Sequence, residues 1–228
     1  MSGYENDVLD FLKDYYLTKN NCLLVGGSGL YIDAVCKGID DLPDPDDSLR
    51  EMLKTKLKNE GLESLKMDLK NLDPDYYQIV DIQNPNRILR ALEVCLMTGK
   101  TFTQLRLNAH KPRPFNILKI GLNRPRHELY HQIEKRVDEM ITSGLVEEVK
   151  SLANHRHHNA LNTVGYKEIF NYLDATISLD EAIEKIKTNT RRYAKRQLTW
   201  FKRDPAISWF HPDEVNKMLE YLKSGLPK

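Results

Sequence analysis

Apolar positions recur at helical spacing near the start of the chain. Val8, Leu9, Phe11, Leu12 and Tyr15 place one face of an amphipathic helix over residues 5–18. A short apolar run, Cys22-Leu-Leu-Val25, then ends in Gly26-Gly-Ser-Gly29 before a second helical stretch from Leu30 to Val35. Helix, buried strand, glycine turn and helix in that order is the grammar of an α/β sheet. Residues 40–48 interrupt it with two prolines and five aspartates, a linker or rim loop. From Leu49 to about Leu107 the pattern is helical, through 49–57, 62–71 and 85–98, with a break at Asp73-Pro74 and no strand signal. Partial strand alternation returns at Phe115–Leu122. Helices are expected over 126–142, 146–152, 165–173, 179–201 and 213–223, with a short strand at Ile207–Phe210.

The chain of 228 residues can bury a core, since 40 % are hydrophobic and 29 % charged. Net charge is +1, so a case for a polyanionic partner must rest on local clustering. Three cysteines, Cys22, Cys36 and Cys95, are widely spaced and form no CxxC, which argues against a disulfide framework or a zinc site and for buried free thiols. No apolar run approaches the roughly 18 residues of a membrane span. The N-terminus lacks the basic and apolar regions of a signal peptide. These features predict a cytoplasmic protein without a membrane partner.

Five segments offer chemistry. The turn Gly26-Gly-Ser-Gly29 suits either a tight strand-to-helix connection or a phosphate held by backbone N–H groups with the Ser28 hydroxyl. It matches neither GxxxxGK[ST] nor GxGxxG. In Asn84-Pro-Asn-Arg-Ile-Leu-Arg90, Pro85 suits a first helical position. Arg87 and Arg90 share a face that is either solvated or grips RNA. Arg136 has Glu134, Lys135, Asp138 and Glu139 nearby, neighbours that could pair it and make it merely structural. Asn162-Thr-Val-Gly-Tyr-Lys167 is a helix entry that could also hold RNA backbone. Between Lys185 and Arg203 stand eight basic residues and no acidic one, and Lys187, Arg191 and Lys195 form a stripe with helical spacing. Repulsion along such a stripe costs a few tenths of a kcal/mol per pair, so the stripe points to a polyanion. His155-Arg-His-His158 has no second ligand pair and is expected to be a solvated loop, with no metal site.

In this order, Val25-Gly-Gly-Ser-Gly-Leu-Tyr31, Asn84–Val94 with Thr98-Gly-Lys-Thr101, Arg136, Val164-Gly-Tyr-Lys167 and Lys195-Arg-Gln-Leu-Thr-Trp-Phe201 resemble the tRNA dimethylallyltransferase family. No single piece is diagnostic, but their co-linearity over nearly the whole chain is. The resemblance implies an α/β fold: a P-loop-NTPase-like core, incomplete at the N-terminus, with an all-helical insertion domain. Residues 1–45 would belong to the core, 46–112 to a tRNA-binding helical insertion and 113–228 to the rest of the core. The implied reaction is Mg²⁺-dependent attack of an adenine N6, 3′-adjacent to the anticodon, on C1 of dimethylallyl diphosphate. The implied partners are the tRNA anticodon stem-loop and dimethylallyl diphosphate, and the full-length enzyme would be a monomer.

By the same resemblance Ser28 and Arg136 would be catalytic, and Gly26, Gly27, Ser28 and Arg136 would bind the diphosphate. Tyrosine, lysine, arginine and neighbouring positions would meet tRNA: Arg50, Asn86, Arg87, Ile88, Leu89, Arg90, Asn162, Thr163, Val164, Gly165, Tyr166, Lys167, Lys195, Arg196, Gln197, Thr199, Trp200 and Lys202. The sequence departs from the family pattern in having no GxxxxGK[ST] segment and no identifiable general-base aspartate after one. Most Mg²⁺ ligands would lie with those segments, and the 228 residues are expected to be catalytically incomplete on their own. Two rival readings remain: an adenylate isopentenyltransferase acting on free nucleotide, which would not need the helices of 49–107, and a non-catalytic RNA-binding remnant.

Overall fold

The computed structural model describes residues 2–107 and 110–225. Its elements form two compact units, one from residues up to Gly26 with Leu30–Phe115, the other from Gly27–Gly29 with Asn116 onward. This division does not follow the expected boundaries at 45 and 112, because the first helix is clasped by residues on both sides of the helical stretch. Helix α1 (Ser2–Tyr15) buries Glu5, whose carboxylate accepts from Arg113 at 2.7 Å and from the Ile39 N–H at 3.2 Å. Arg113 also donates to the carbonyls of Val35 and Ala34, at 2.7 and 2.6 Å, in the last turn of α2 (Gly29–Lys37). Carbonyls of the last helical turn need partners, and one guanidinium here donates to two of them, the Ala34 carbonyl also accepting the Gly38 N–H at 3.1 Å.

Every regular element described between residues 47 and 105 is helical: α3 (Asp47–Leu72), α4 (Pro74–Ile79), α5 (Pro85–Thr98) and α6 (Phe102–Leu105). The long α3 is two helices meeting at Gly61, whose φ of 80° only glycine adopts cheaply. A straight helix would separate residues twelve apart by about 18 Å. Lys56 nevertheless reaches Asp68 at 2.6 Å, so the chain folds back at the glycine. Leu53, Leu65, Leu69, Ile88, Leu92 and Phe102 share the core of these helices. Asn84 caps α5, Pro85 opens it and Gly99, at φ 67°, closes it. At the centre of the polar bonding is buried Asp73. It caps α4 through the Tyr76 N–H at 2.9 Å and accepts both the N–H and the hydroxyl of Thr103, at 2.7 and 2.8 Å.

The second unit holds a parallel pair, β1 (Lys119–Leu122) and β2 (Ile207–Phe210), in the register Lys119↔Ile207 to Leu122↔Phe210. Between them in sequence come α7 (Arg126–Thr142), α8 (Leu145–Ser151), α9 (Tyr166–Leu173) and α10 (Leu179–Phe201); α11 (Val215–Gly225) follows. Val137, Leu145, Val149, Ile169, Phe170 and Ile186 form the core between these helices. Among the described residues no helix is long and apolar enough to cross a membrane.

Three expectations need correction. The run Cys22–Val25 is not a buried strand: no other strand pairs with it among the described residues, and Leu23 and Val25 are 85 % and 82 % exposed. A strand is defined by its ladder, and an apolar run without a neighbour to bond stays irregular. The strand over 115–122 shrinks to its last four residues, which are the ones opposite β2. All three cysteines are free, but only Cys95 is buried, Cys22 being exposed and Cys36 half-buried.

Replacing Asp73 by alanine would remove a helix cap and two further bonds to a buried carboxylate. The expected loss is about 1–3 kcal/mol, read as a lower urea midpoint in far-UV circular dichroism. An unchanged midpoint would contradict the role given to Asp73.

Candidate functional site

The glycine turn lies on the C-terminal part of α10. Gln197 Nε2 donates to the Gly27 carbonyl at 2.8 Å. One helical turn later, the Trp200 indole covers Gly29 so closely that a Cβ there would stand 2.1 Å from its Cδ1. A Cβ on Gly27 would stand 2.2 Å from Gln197 Nε2. Two backbone positions without side chains therefore let Gln197 and Trp200 touch main chain directly. Ser28, between the two glycines, is exposed. Gly26 is under no such constraint, its nearest neighbour being Ile32 at 3.9 Å. The Arg203 guanidinium lies 3.9 Å from the Trp200 ring centroid, a cation–π contact on the same indole.

The basic stripe on α10 divides into two parts. Lys187 pairs with Asp138 at 2.8 Å and Glu184 at 3.5 Å, and the hydrogen bond it donates to Asp138 raises its pKa. Arg191 pairs with Glu134 at 2.7 Å and lies over the Tyr130 ring. Both cations thus join α10 to α7, and the expectation that they face RNA is corrected. The helical spacing of the stripe was legible, but its partners 57 residues away in the case of Arg191 were not. Lys195, Arg196, Thr199 and Lys202 remain exposed, with Arg196 stacked over Tyr193.

The same pairing decides Arg136. Glu134 is held by Arg191, Asp138 by Lys187, and Glu139 faces Lys135 at 3.7 Å. Arg136 is left on the exposed face of α7 with no ion pair among the described residues. No described hydrogen bond joins it to the glycine turn.

At the entry to α9, Gly165 has φ 100°, a conformation other residues rarely adopt. Buried Glu168 accepts the Gly165 N–H at 2.8 Å and the Asn189 side chain of α10 at 2.7 Å. This carboxylate, not singled out from the sequence, fixes Gly165-Tyr-Lys167 against α10. Its only sequence signal was its place three residues into the helix, where a carboxylate can reach back to the preceding N–H. Tyr166 donates to Glu148, which pushes the phenol pKa up. Asn162, Thr163 and Lys167 are exposed, and Val164 packs into the core.

In the first unit the arginines differ. Buried Glu93 accepts from Arg90 at 2.8 Å, Arg50 at 3.0 Å and the Asp46 N–H at 3.2 Å, and Arg90 also reaches the Pro43 carbonyl at 2.6 Å. Arg50 and Arg90 therefore hold the aspartate-rich linker to α5. Ile88 has no accessible surface and Leu89 is half-buried against the core, so an RNA contact by the Ile88 side chain is excluded. Asn86 and Arg87 are exposed, and the Arg87 guanidinium has no partner among the described residues.

The family model described as IPP transferase matches residues 1–204. The chain belongs to that family. The chain is 53 % identical over 223 residues to tRNA dimethylallyltransferase 1 of Bacteroides fragilis, an alignment covering 98 % of this chain and 74 % of the relative. The full-length tRNA isopentenylpyrophosphate transferase of Bacillus halodurans superposes with a TM-score of 0.63 at 33 % identity, over 97 % of this chain and 71 % of that one. A eukaryotic dimethylallyltransferase acting on tRNA shares the fold, with a TM-score of 0.75 at 21 % identity over 99 % of this chain and 62 % of that one.

If the close approach of the turn to α10 is needed, Gly29→Ala should destabilise the protein by about 1–3 kcal/mol through overpacking. Gly26→Ala, in open space, should change stability by less than about 0.5 kcal/mol. Thermal denaturation of the two variants checks this, and equal midpoints would contradict it.

Proposed function

We propose that this chain acts in the transfer of a dimethylallyl group from dimethylallyl diphosphate to N6 of the adenine 3′-adjacent to the anticodon of tRNA. The observation that carries the reading is the exposed Ser28 on a glycine turn seated against Gln197 and Trp200, in a member of this family. The adenine N6 forms a bond to C1 as the C1–oxygen bond to diphosphate breaks, the amine releases one proton to solvent, and negative charge grows on the leaving pyrophosphate. Donors aimed at that charge lower the barrier. Ser28 and the turn N–H groups of Gly26 and Gly27 supply neutral donors. Arg136, an exposed arginine without an ion pair among the described residues, supplies the cation.

Mg²⁺ is part of the same proposal, as an ion that would offset negative charge on the diphosphate. Among the described residues no three carboxylate, imidazole or thiolate groups converge, so these side chains make no cage for it. The helices of residues 46–112, with exposed Asn86 and Arg87, are proposed to receive the anticodon arm within a P-loop-type architecture. Asn162–Lys167 and Lys195–Lys202 complete the RNA-facing set. A free-nucleotide substrate would leave these exposed cations without a role.

Because the 228 residues contain no GxxxxGK[ST] segment, turnover by them alone is expected to fall short of a full-length relative. Loss of general acid–base help by itself is worth about 10²–10⁴-fold. Binding is the cleaner test. The chain should bind an anticodon stem-loop and pyrophosphate but not free AMP. Arg136→Ala should weaken pyrophosphate binding by roughly tenfold or more, the worth of a charge-assisted hydrogen bond, with an unchanged circular dichroism spectrum. Calorimetry that finds AMP bound and the stem-loop ignored, or pyrophosphate affinity unaffected by the substitution, would overturn the reading.

A further inference from the structure

The loop before α9 carries His155, His157 and His158, a cluster that the proposed reaction does not use. It is ordered as two short 3-10 turns, Ala153–His155 and Asn159–Leu161. Arg156 pins it down: the guanidinium donates to both oxygens of Asp174, at 2.9 and 2.6 Å, and lies 5.1 Å from the Phe170 ring centroid. The exposed pair cancels the acidic charge that Asp174 would otherwise place behind the loop. What remains is an open groove of about 450 Å³, bordered by His157, His158, Asn162, Lys167 and Asn171, with no carboxylate in its lining.

These side chains offer hydrogen-bond donors to the groove. Lys167 has no ion pair, and the amides of Asn162 and Asn171 have no side-chain hydrogen bond, among the described residues. The His157 and His158 rings are 4.2 Å apart, with His155 5.9 Å from His158. The Lys167 ammonium, the imidazole and amide donors around it and a lining without carboxylates favour an occupant that brings negative charge and acceptor oxygens. A metal ion does not fit, since no three ligands converge among the described residues. The groove is open rather than enclosed, and it continues directly from Asn162 to Lys167.

We propose that this groove is an additional seat for the RNA sugar-phosphate backbone, extending the contact surface of Asn162–Lys167 past His157 and His158. The inference rests on the tRNA-binding reading above and deepens it. Phosphate contacts of this kind position RNA and weaken with salt, without reading sequence.

The test is a salt titration of binding, by fluorescence anisotropy, of a labelled anticodon stem-loop to the whole chain. The variants are His157→Ala with His158→Ala, the near-isosteric Asn171→Asp, and Lys223→Ala on α11 as a control. Thermal midpoints report folding. The double variant should bind severalfold more weakly by losing two hydrogen-bond donors to phosphate oxygens. Asn171→Asp should weaken binding at least as much by placing a negative charge in the groove, and Lys223→Ala should match the parent. If the parent binds and every variant keeps its affinity across the titration, the groove proposal falls while the tRNA reading stands. If inorganic phosphate binds the parent but not Asn171→Asp and stem-loop binding is unchanged, the groove is a small-anion site and the proposal is overturned. Failure of the parent to bind the stem-loop at low salt would sink the tRNA reading and the groove with it.

Discussion

The approach of main chain to helix at Gly27 and Gly29 is closer than any side chain at those positions would permit. The constraint is steric before it is chemical. One glycine lets the Gln197 amide reach a backbone carbonyl, and the other lets the Trp200 indole lie against the first residue of α2. The residue between them, Ser28, is left exposed. A hydroxyl placed this way needs no interaction of its own to hold it, since its two neighbours are already fixed. The arrangement also explains why Gln197 and Trp200, in a run otherwise rich in exposed cations, are half-buried.

A second consequence follows from how α10 distributes its charge. Its middle cations are bound to the acidic residues of α7, which stabilises the packing of the two helices and removes like-charge repulsion along the stripe. The acidic side chains that could have neutralised Arg136 are engaged in those pairs or with Lys135. The structural ion pairs and an exposed Arg136 without an ion pair among the described residues are therefore two sides of the same arrangement. In the first unit the outcome is reversed. Arg50 and Arg90 are drawn inward by Glu93, and of these three arginines Arg87 faces solvent without a partner among the described residues.

The sequence pattern located α7 and α10 to within a residue, and the Asn84-Pro85 helix start, because periodicity and caps are local properties. The irregular course of Cys22–Val25 was not legible, since an apolar run becomes a strand only when a neighbour pairs with it. Nor were the buried carboxylates. Asp73 meets Thr103 thirty residues on, Glu168 meets Asn189 and Glu93 collects donors from a linker far upstream. In the sequence each resembles any surface acid, and only tertiary contact distinguishes them. Ser28 was picked out by its glycine turn and by resemblance, Arg136 by resemblance alone. Their exposure, and the lack of a described ion pair for Arg136, came from the structure.

The central claim is that α10 uses its middle cations for packing and its C-terminal cations for RNA. Lysine modification by a small acylating reagent, mapped by mass spectrometry with and without an anticodon stem-loop, tests it directly. The account predicts that Lys195, Lys202 and Lys167 react freely in the unbound chain and are protected by RNA, while Lys187, bonded to Asp138, reacts slowly in both. Protection of none of these lysines despite measurable binding, or RNA-dependent protection confined to Lys187, would contradict it.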